Sequence, residues 1–405
     1  MLLFVLLALT KSARCDSDVG SPGVTDQRTL LQIIWSCSAT IFACTWLAVH
    51  PNVPGRSLKR RGKLAVAFRR AKLMLLTLMA PEIVIGWAAA QWRVARYIKN
   101  LSPKKLTMAH GFFVTMGGFC NSSGDILSCK DFYPLEHELD REICRESWIT
   151  ALAEVTEEEL DERSKADGFS KAIAIVQIFW FVIQCLARQI QHLPILPIEI
   201  SALAFSILSI ALYMIWWYKP FDVQVHIVLP LGTKLDYTGH DDQQHVGLLR
   251  CINNWYYNVL VAVYGCVDDD TIPTIETGVS EIYVADCIDN PSLPSTPAML
   301  RWFAAWAVGA LFGSMYLVDW SYEFASNVER IFWRTSAITI TSIPLWFLVQ
   351  GYSFFFCPSH LSMVFAATCY VVARMCIIVL ALMSLRWLLP AALVEVSWTT
   401  YIPHV

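Results

Sequence analysis

Residues 170–194 read SKAIAIVQIFWFVIQCLARQIQHLP, and residues 195–218 read ILPIEISALAFSILSIALYMIWWY. Each run is about long enough to cross a bilayer core, which takes about 20 residues at a rise of 1.5 Å. The two meet at Gln191-His192-Leu193-Pro194, so they read as a transmembrane helical hairpin. The rest of the chain reads as further hairpins of this kind with loops between them.

Composition agrees. The chain has 405 residues, 56% hydrophobic and 16% charged, against about 25% charged in a soluble domain. Length alone suggests two or three soluble domains, but the repeated long apolar runs override that prior. A net charge of −3 gives no reason to expect a nucleic-acid partner. The 16 Trp and 14 Tyr suit rings at the membrane interfaces, among them Trp46, Trp87, Trp92, Trp216, Trp217 and Trp302. The expected fold class is an all-α membrane protein with about seven transmembrane helices and two large lumenal or extracellular loops.

In chain order, residues 1–15 suit a signal peptide, with Leu2–Leu9 as a core too short to span; the basic n-region is missing, and Lys11 and Arg14 lie near the cut. Residues 16–29 form an N-terminal tail. Residues 30–92 hold a first span, Leu30–His50, and a second, Leu73–Trp92. Between them lie Arg56, Lys59, Arg60, Arg61, Lys63, Arg69, Arg70 and Lys72, which assign that loop to the cytoplasm. Residues 93–169 are a first large loop, 170–218 the hairpin, and 219–297 a second large loop. Residues 298–389 carry three more spans, and 390–405 are a cytoplasmic tail. The N-terminus is then lumenal, in a secretory-pathway membrane (endoplasmic reticulum or plasma membrane). Glycosylation sequons at Asn100 and Asn121 agree, as do six loop cysteines able to form disulfides: Cys120, Cys129, Cys144, Cys251, Cys266 and Cys287. Arg93, Arg96, Lys99, Lys104 and Lys105 disagree, since they fall on the supposed outer side. If Leu73–Trp92 only dips into the membrane, everything downstream inverts.

Five stretches carry a resemblance: RSKADGFSKAIAIVQIFWFVIQCLARQIQHLP at 163–194, WSCSATIFACTWLAVHPNVP at 35–54, HGFFVTMGGF at 110–119, WWYKPFDV at 216–223 and WTTYIPHV at 398–405. In these the chain resembles a large family of uncharacterised multi-pass membrane proteins of filamentous fungi. The resemblance implies a membrane fold and carries no activity with it.

Ionisable residues inside spans draw attention because burying one costs about 2.5–3.5 kcal/mol on insertion scales. Glu82, beside Pro81 near the middle of the second span, is a candidate acid, base or coupling-ion site, or else a structural carboxyl bonded across the bundle. Arg374 in the last span wants a carboxylate or an anionic ligand; Glu82 is one candidate partner. Asp319 and Glu323, four apart, share a face if the fifth span continues as a helix. They then offer paired carboxylates for protonating an alkene or epoxide, or a solvated helix end. Ser336, Thr339 and Ser342 recur every three residues; they line a polar cavity or bond within the helices. His240–His245 (HDDQQH) has metal-capable residues without a known ligand spacing, so no metal is assigned. Nor is any cofactor implied, for GxSxG, HExxH, Walker and dinucleotide motifs are all missing.

The leading function is a membrane-embedded acid–base enzyme acting on a lipidic or isoprenoid-like small molecule. Its partners are then the lipid bilayer and a hydrophobic small-molecule ligand. A transporter is the alternative, as is a seven-span receptor or scaffold without catalysis.

Overall fold

In the computed structural model, residues 27–132, 139–164, 168–231, 274–279, 297–352, 360–388 and 390–396 are described. The leader, the HDDQQH stretch, most of the second large loop and the side chains of Cys129, Cys251, Cys266 and Cys287 lie outside them. Among the described residues the structure is mostly helical, with one short strand pair. Four of the described helices are long and apolar enough to cross a membrane: Leu30–Leu47, Ala172–Ile190, Pro197–Ile215 and Phe365–Arg386. The chain divides into two compact units.

The first unit comprises residues 1–48, 172–210 and 306–405. Its first helix, α1 (Leu30–Phe42), opens on a capping box in which Thr29 and Gln32 bond each other's backbone amides, and it continues into a wide π turn at Ala43–Leu47. Two further helices share the chain with the second unit: α6 (Gly168–Ile190) and α7 (Pro197–Ile215). Arg28, just before α1, meets Glu199 in the first turn of α7. Toward the other end Ser209 Oγ donates to Cys44 O at 3.2 Å. So α1 and α7 run parallel. Between them α6 runs the opposite way, since Gln177 Nε2 reaches Thr40 Oγ1 at 3.2 Å while Arg188 and Arg28 share the carbonyl of Ala392.

The remaining helices of this unit alternate. The end of α8 (Pro297–Met315) lies beside the early part of α7, with Phe312 and Phe205 rings 5.3 Å apart. Next, α9 (Asn327–Tyr352) returns along α8: Tyr316 meets Trp333 at 5.9 Å and Trp306 stacks on Phe347 at 4.6 Å. Finally α10 (His360–Met383) leads to the segment 390–396, which lies against Arg28 and Arg188. The ends of α1 and α7, and the start of α6, therefore all sit at one end of this helix set.

The second unit comprises residues 49–171 and 211–305. Here the expected second span is not one helix. Instead α2 (Lys63–Met79) stops at Ala80, and α3 (Pro81–Leu101) starts on Pro81 at 109° to it. The local cause is proline, whose ring drives the preceding residue out of the helical region; Ala80 has φ −144° and ψ 69°. Glu82 is consequently in the first turn of a new helix and not at mid-span.

The apolar HGFFVTMGGF stretch forms α4 (Met108–Thr115) and the turn after it, and both are buried. His110 holds Thr107 through Nδ1 and reaches Val155 O through Nε2 at 2.8 Å, so its ring closes the cap of α4 and ties down the end of α5 (Leu139–Glu154). Strand β1 (Phe119–Cys120) pairs in parallel with β2 (Ile227–Val228), joining the two chain stretches of this unit.

Crossing α3 so closely requires a glycine on α4, because a Cβ at Gly111 would lie 2.3 Å from Ala95 O. Gly111→Val is therefore expected to lower the melting temperature of the detergent-purified chain. The overpacking cost is about 1–3 kcal/mol or more, whereas the exposed Leu64→Ala is expected to leave the melt within error.

Candidate functional site

The polar end of the first unit is built from chain neighbours that cannot satisfy themselves. The last carbonyls of α6 and the first amides of α7 lack helical partners. Glu199 reaches back to Leu196 N–H at 2.8 Å and caps α7. Its carboxylate also takes both guanidinium nitrogens of Arg28, at 2.5 and 3.3 Å. Arg188, buried near the end of α6, donates to Pro194 O, Ala392 O and Val394 O at 2.8–3.3 Å. The two arginines thus bind the helix ends and the 392–394 segment together.

A cleft of about 300 Å³ opens here. Arg28, Glu199 and Arg188 give it a charged floor, and Ile33, Trp35 and Phe181 give it apolar walls. That combination suits an amphiphile with a compact polar head.

Asp319 belongs to the same unit. The expected face shared with Glu323 does not form, because α8 ends at Met315 and residues 316–321 are turns. Glu323 is exposed. Asp319 is half-buried, and its Oδ2 has no hydrogen-bond partner among the described residues. Burial, and then the charge of Glu199, push its carboxyl up to about 7. Two carboxyls of one unit are thus held differently. Glu199 is engaged by Arg28 and a backbone amide, while the Asp319 carboxyl is raised by burial.

The other predicted residues are placed as follows. Arg374 is fully buried on α10. Its Nη1 donates to Tyr316 Oη at 2.9 Å, and the guanidinium lies 4.4 Å from the Phe312 ring centroid and 5.3 Å from that of Phe205. Its contacts thus include aromatic faces and a phenol. Ser336 is buried on α9, but Thr339 gives its hydroxyl to Thr335 O at 2.8 Å and Ser342 is exposed, so the three line no common cavity.

Asn100 is exposed in the last turn of α3. Asn121 is fully buried, with Nδ2 donating to Asp125 Oδ2 at 2.9 Å and Oδ1 accepting from Asp125 N. A glycan on Asn121 has no room. Cys120 is a buried thiol pointing at Ile227 O, and Cys144 is likewise a free thiol, so neither is in the expected disulfide. Among the described residues no group of three His, Cys, Asp or Glu gathers as a metal site.

Sequence reasoning missed Lys219. It follows α7 in the second unit and is 1% exposed. Its Nζ donates to His50 O at 2.6 Å and Gln91 Oε1 at 2.8 Å, and lies 4.3 Å from the Trp216 ring centroid and 4.5 Å from that of Trp87. Gln91 in turn holds Asn52 Oδ1 at 3.0 Å. Burial holds the amine well below the ordinary lysine range. The available signal was a lone lysine in the aromatic run WWYKPF.

Two outcomes are expected. A carboxyl raised in the folded state from its unfolded value of 3.8 to about 7 binds its proton more tightly when folded. Its contribution to stability is therefore full below about 4, falls as pH rises to about 7, and is flat above. Asp319→Asn should remove that slope in melting curves taken from pH 4 to 8. Lys219→Met removes the donor to two buried acceptors, a loss of about 0.5–1.5 kcal/mol or more for each bond. Its loss should be partly rescued by adding Gln91→Leu, measured as a double-mutant cycle of melting temperatures.

Searches of curated proteins and of solved structures find no match. A family model does match, over residues 1–107 and again over 99–238, which takes in Arg28, Arg188, Glu199 and Lys219 but not Asp319. With more than half of its length matched, the chain belongs to a family of unknown function, DUF8562.

Proposed function

We propose that the chain is an integral membrane protein carrying out acid–base chemistry on a lipidic or isoprenoid-like small molecule, with Asp319 and Glu199 as its proton-handling pair. The observation that carries this is the unequal environment of the two carboxyls. Two carboxyls held in different environments can take different parts in acid–base chemistry. Glu199 lines the cleft, bound to Arg28; Asp319, raised by burial and outside that lining, gives and takes the proton. Protonating an alkene or an epoxide oxygen makes a carbocation. The same carboxylate then recovers a proton from the adjacent carbon, so no co-reactant is consumed. In this scheme Trp35 and Phe181 pack the apolar part of the substrate, and their π faces are suited to the cation.

Helix directions in the first unit support a topology of six crossings. There α1, α7 and α9 run one way, and α6, α8 and α10 the other. The end of α1, the start of α6, the end of α7 and the start of α8 then face one side of the bilayer. The eight basic residues between Arg56 and Lys72, and the five from Arg93 to Lys105, assign that side to the cytoplasm. The conflict between the two basic clusters disappears, and Asn100 and Asn121 become cytoplasmic. The N-terminus stays lumenal, in a secretory membrane.

A transporter is the second reading. The break between α2 and α3 favours it, because interrupted helices build transporter sites.

Metabolite and lipid profiling tests both. A strain lacking the chain, and strains carrying Asp319→Asn or Glu199→Gln, are expected to lose one product and accumulate its precursor. If the same compounds only change compartment, transport is the function. For topology, endoglycosidase treatment is expected to leave the mass of the wild-type chain unchanged; a shift abolished by Asn100→Gln overturns the cytoplasmic assignment.

A further inference from the structure

Helix α2 reads KLAVAFRRAKLMLLTLM, and its two faces are used differently. Leu73 and Thr77 are buried, and Arg70 on the same face lies 3.6 Å from Asp222 and 5.0 Å from the Phe221 ring centroid. At 100° per residue these positions cluster on one side of the helix. The opposite side carries Leu64, Ala67, Phe68, Ala71 and Leu75, an unbroken stripe at helical spacing. It is open: Leu64 is 86% exposed, Phe68 75% and Leu75 58%. Lys63 flanks the stripe on one side, Arg69 and Lys72 on the other, and Arg56, Lys59, Arg60 and Arg61 precede it.

An apolar stripe between two cationic edges has a complement of definite chemistry. The stripe needs hydrocarbon and the edges need anions, in one plane. The surface of an anionic phospholipid bilayer supplies both. The 109° break at Ala80 gives the reason α2 need not follow α3, so it is free of the constraint that makes a span run straight. A protein partner would also cover an apolar stripe, but it has no need of basic residues along both edges.

The geometry points to α2 as a helix lying in the plane of the membrane interface, its apolar stripe in the acyl boundary and its basic edges on anionic headgroups. This stands apart from the chemistry proposed for the first unit, for every residue it uses lies in the second.

The test uses the full chain in lipid nanodiscs, either wholly zwitterionic or with part of the lipid replaced by phosphatidylserine. Single variants Leu64→Cys and Leu75→Cys are labelled with a water-soluble maleimide. Labelling is read by the mass of the peptide carrying the new thiol, so the native cysteines do not interfere. The two positions are 11 residues apart, about 16 Å along the axis. An in-plane helix protects both thiols to the same degree, more strongly with phosphatidylserine, and high salt weakens that protection. Adding Arg61→Glu and Lys63→Glu, both exposed, is expected to speed labelling in anionic discs roughly fivefold per charge removed.

Fast labelling at Leu64 with full protection at Leu75 means that α2 crosses the membrane and overturns the proposal. Fast labelling of both in every lipid overturns it too, and leaves the stripe to a protein. Protection that is equal but indifferent to lipid charge and to the Arg61→Glu/Lys63→Glu change removes the anionic headgroups from it.

Discussion

Two arginines at one end of the first unit set the frame on which the rest depends. Arg28 and Arg188 come from opposite ends of the chain's first apolar pair, yet both donate to Ala392 O. That shared carbonyl fixes the start of α1, the end of α6 and the segment after α10 at one level. Glu199, bound to Arg28, adds the start of α7. In water each of these bonds contributes little. Among helices with apolar surroundings an unpaired guanidinium is expensive, so removing one partner costs far more than the pair is worth. The directions of α1, α6 and α7 agree with this knot.

The same ion pair shapes the chemistry available nearby. Burial, and after it the charge of Glu199, raise the Asp319 carboxyl to about 7. The second unit handles a buried charge-bearing group in another way. Lys219 has no carboxylate among its hydrogen-bond partners; it meets two carbonyl-type oxygens and two indole faces. One site is tuned for exchange with solvent protons, the other for holding three chain segments still.

The sequence made the helical class, the Ser170–Tyr218 hairpin and the last apolar helix legible, because long apolar runs have one physical solution in a bilayer. The expected second span is broken at Ala80 for a definite reason. Hydropathy averages over Pro81, while the backbone turns there. Asp319 and Glu323 were paired by helical spacing, which does not apply once α8 has ended. Asn121 matched a sequon, but a three-residue pattern carries no information on burial. Arg374 was rightly marked as a buried cation, and its aromatic surroundings come from Phe205 and Phe312, distant in sequence. Lys219 escaped notice because its partners, His50 and Gln91, lie more than a hundred residues away.

That separation bears on how the protein is made. The second unit is assembled from two stretches of chain, with α6 and most of α7 synthesised between them. Gln91 emerges 128 residues before the lysine that fills the space beside it, an interval on the order of ten seconds at ordinary rates of synthesis. Strand β1 waits over a similar length for β2. During that time Trp87 and the α3–α4 pair stand without their final covering. The newborn first stretch is thus a client for whatever shields apolar surface until Lys219 arrives.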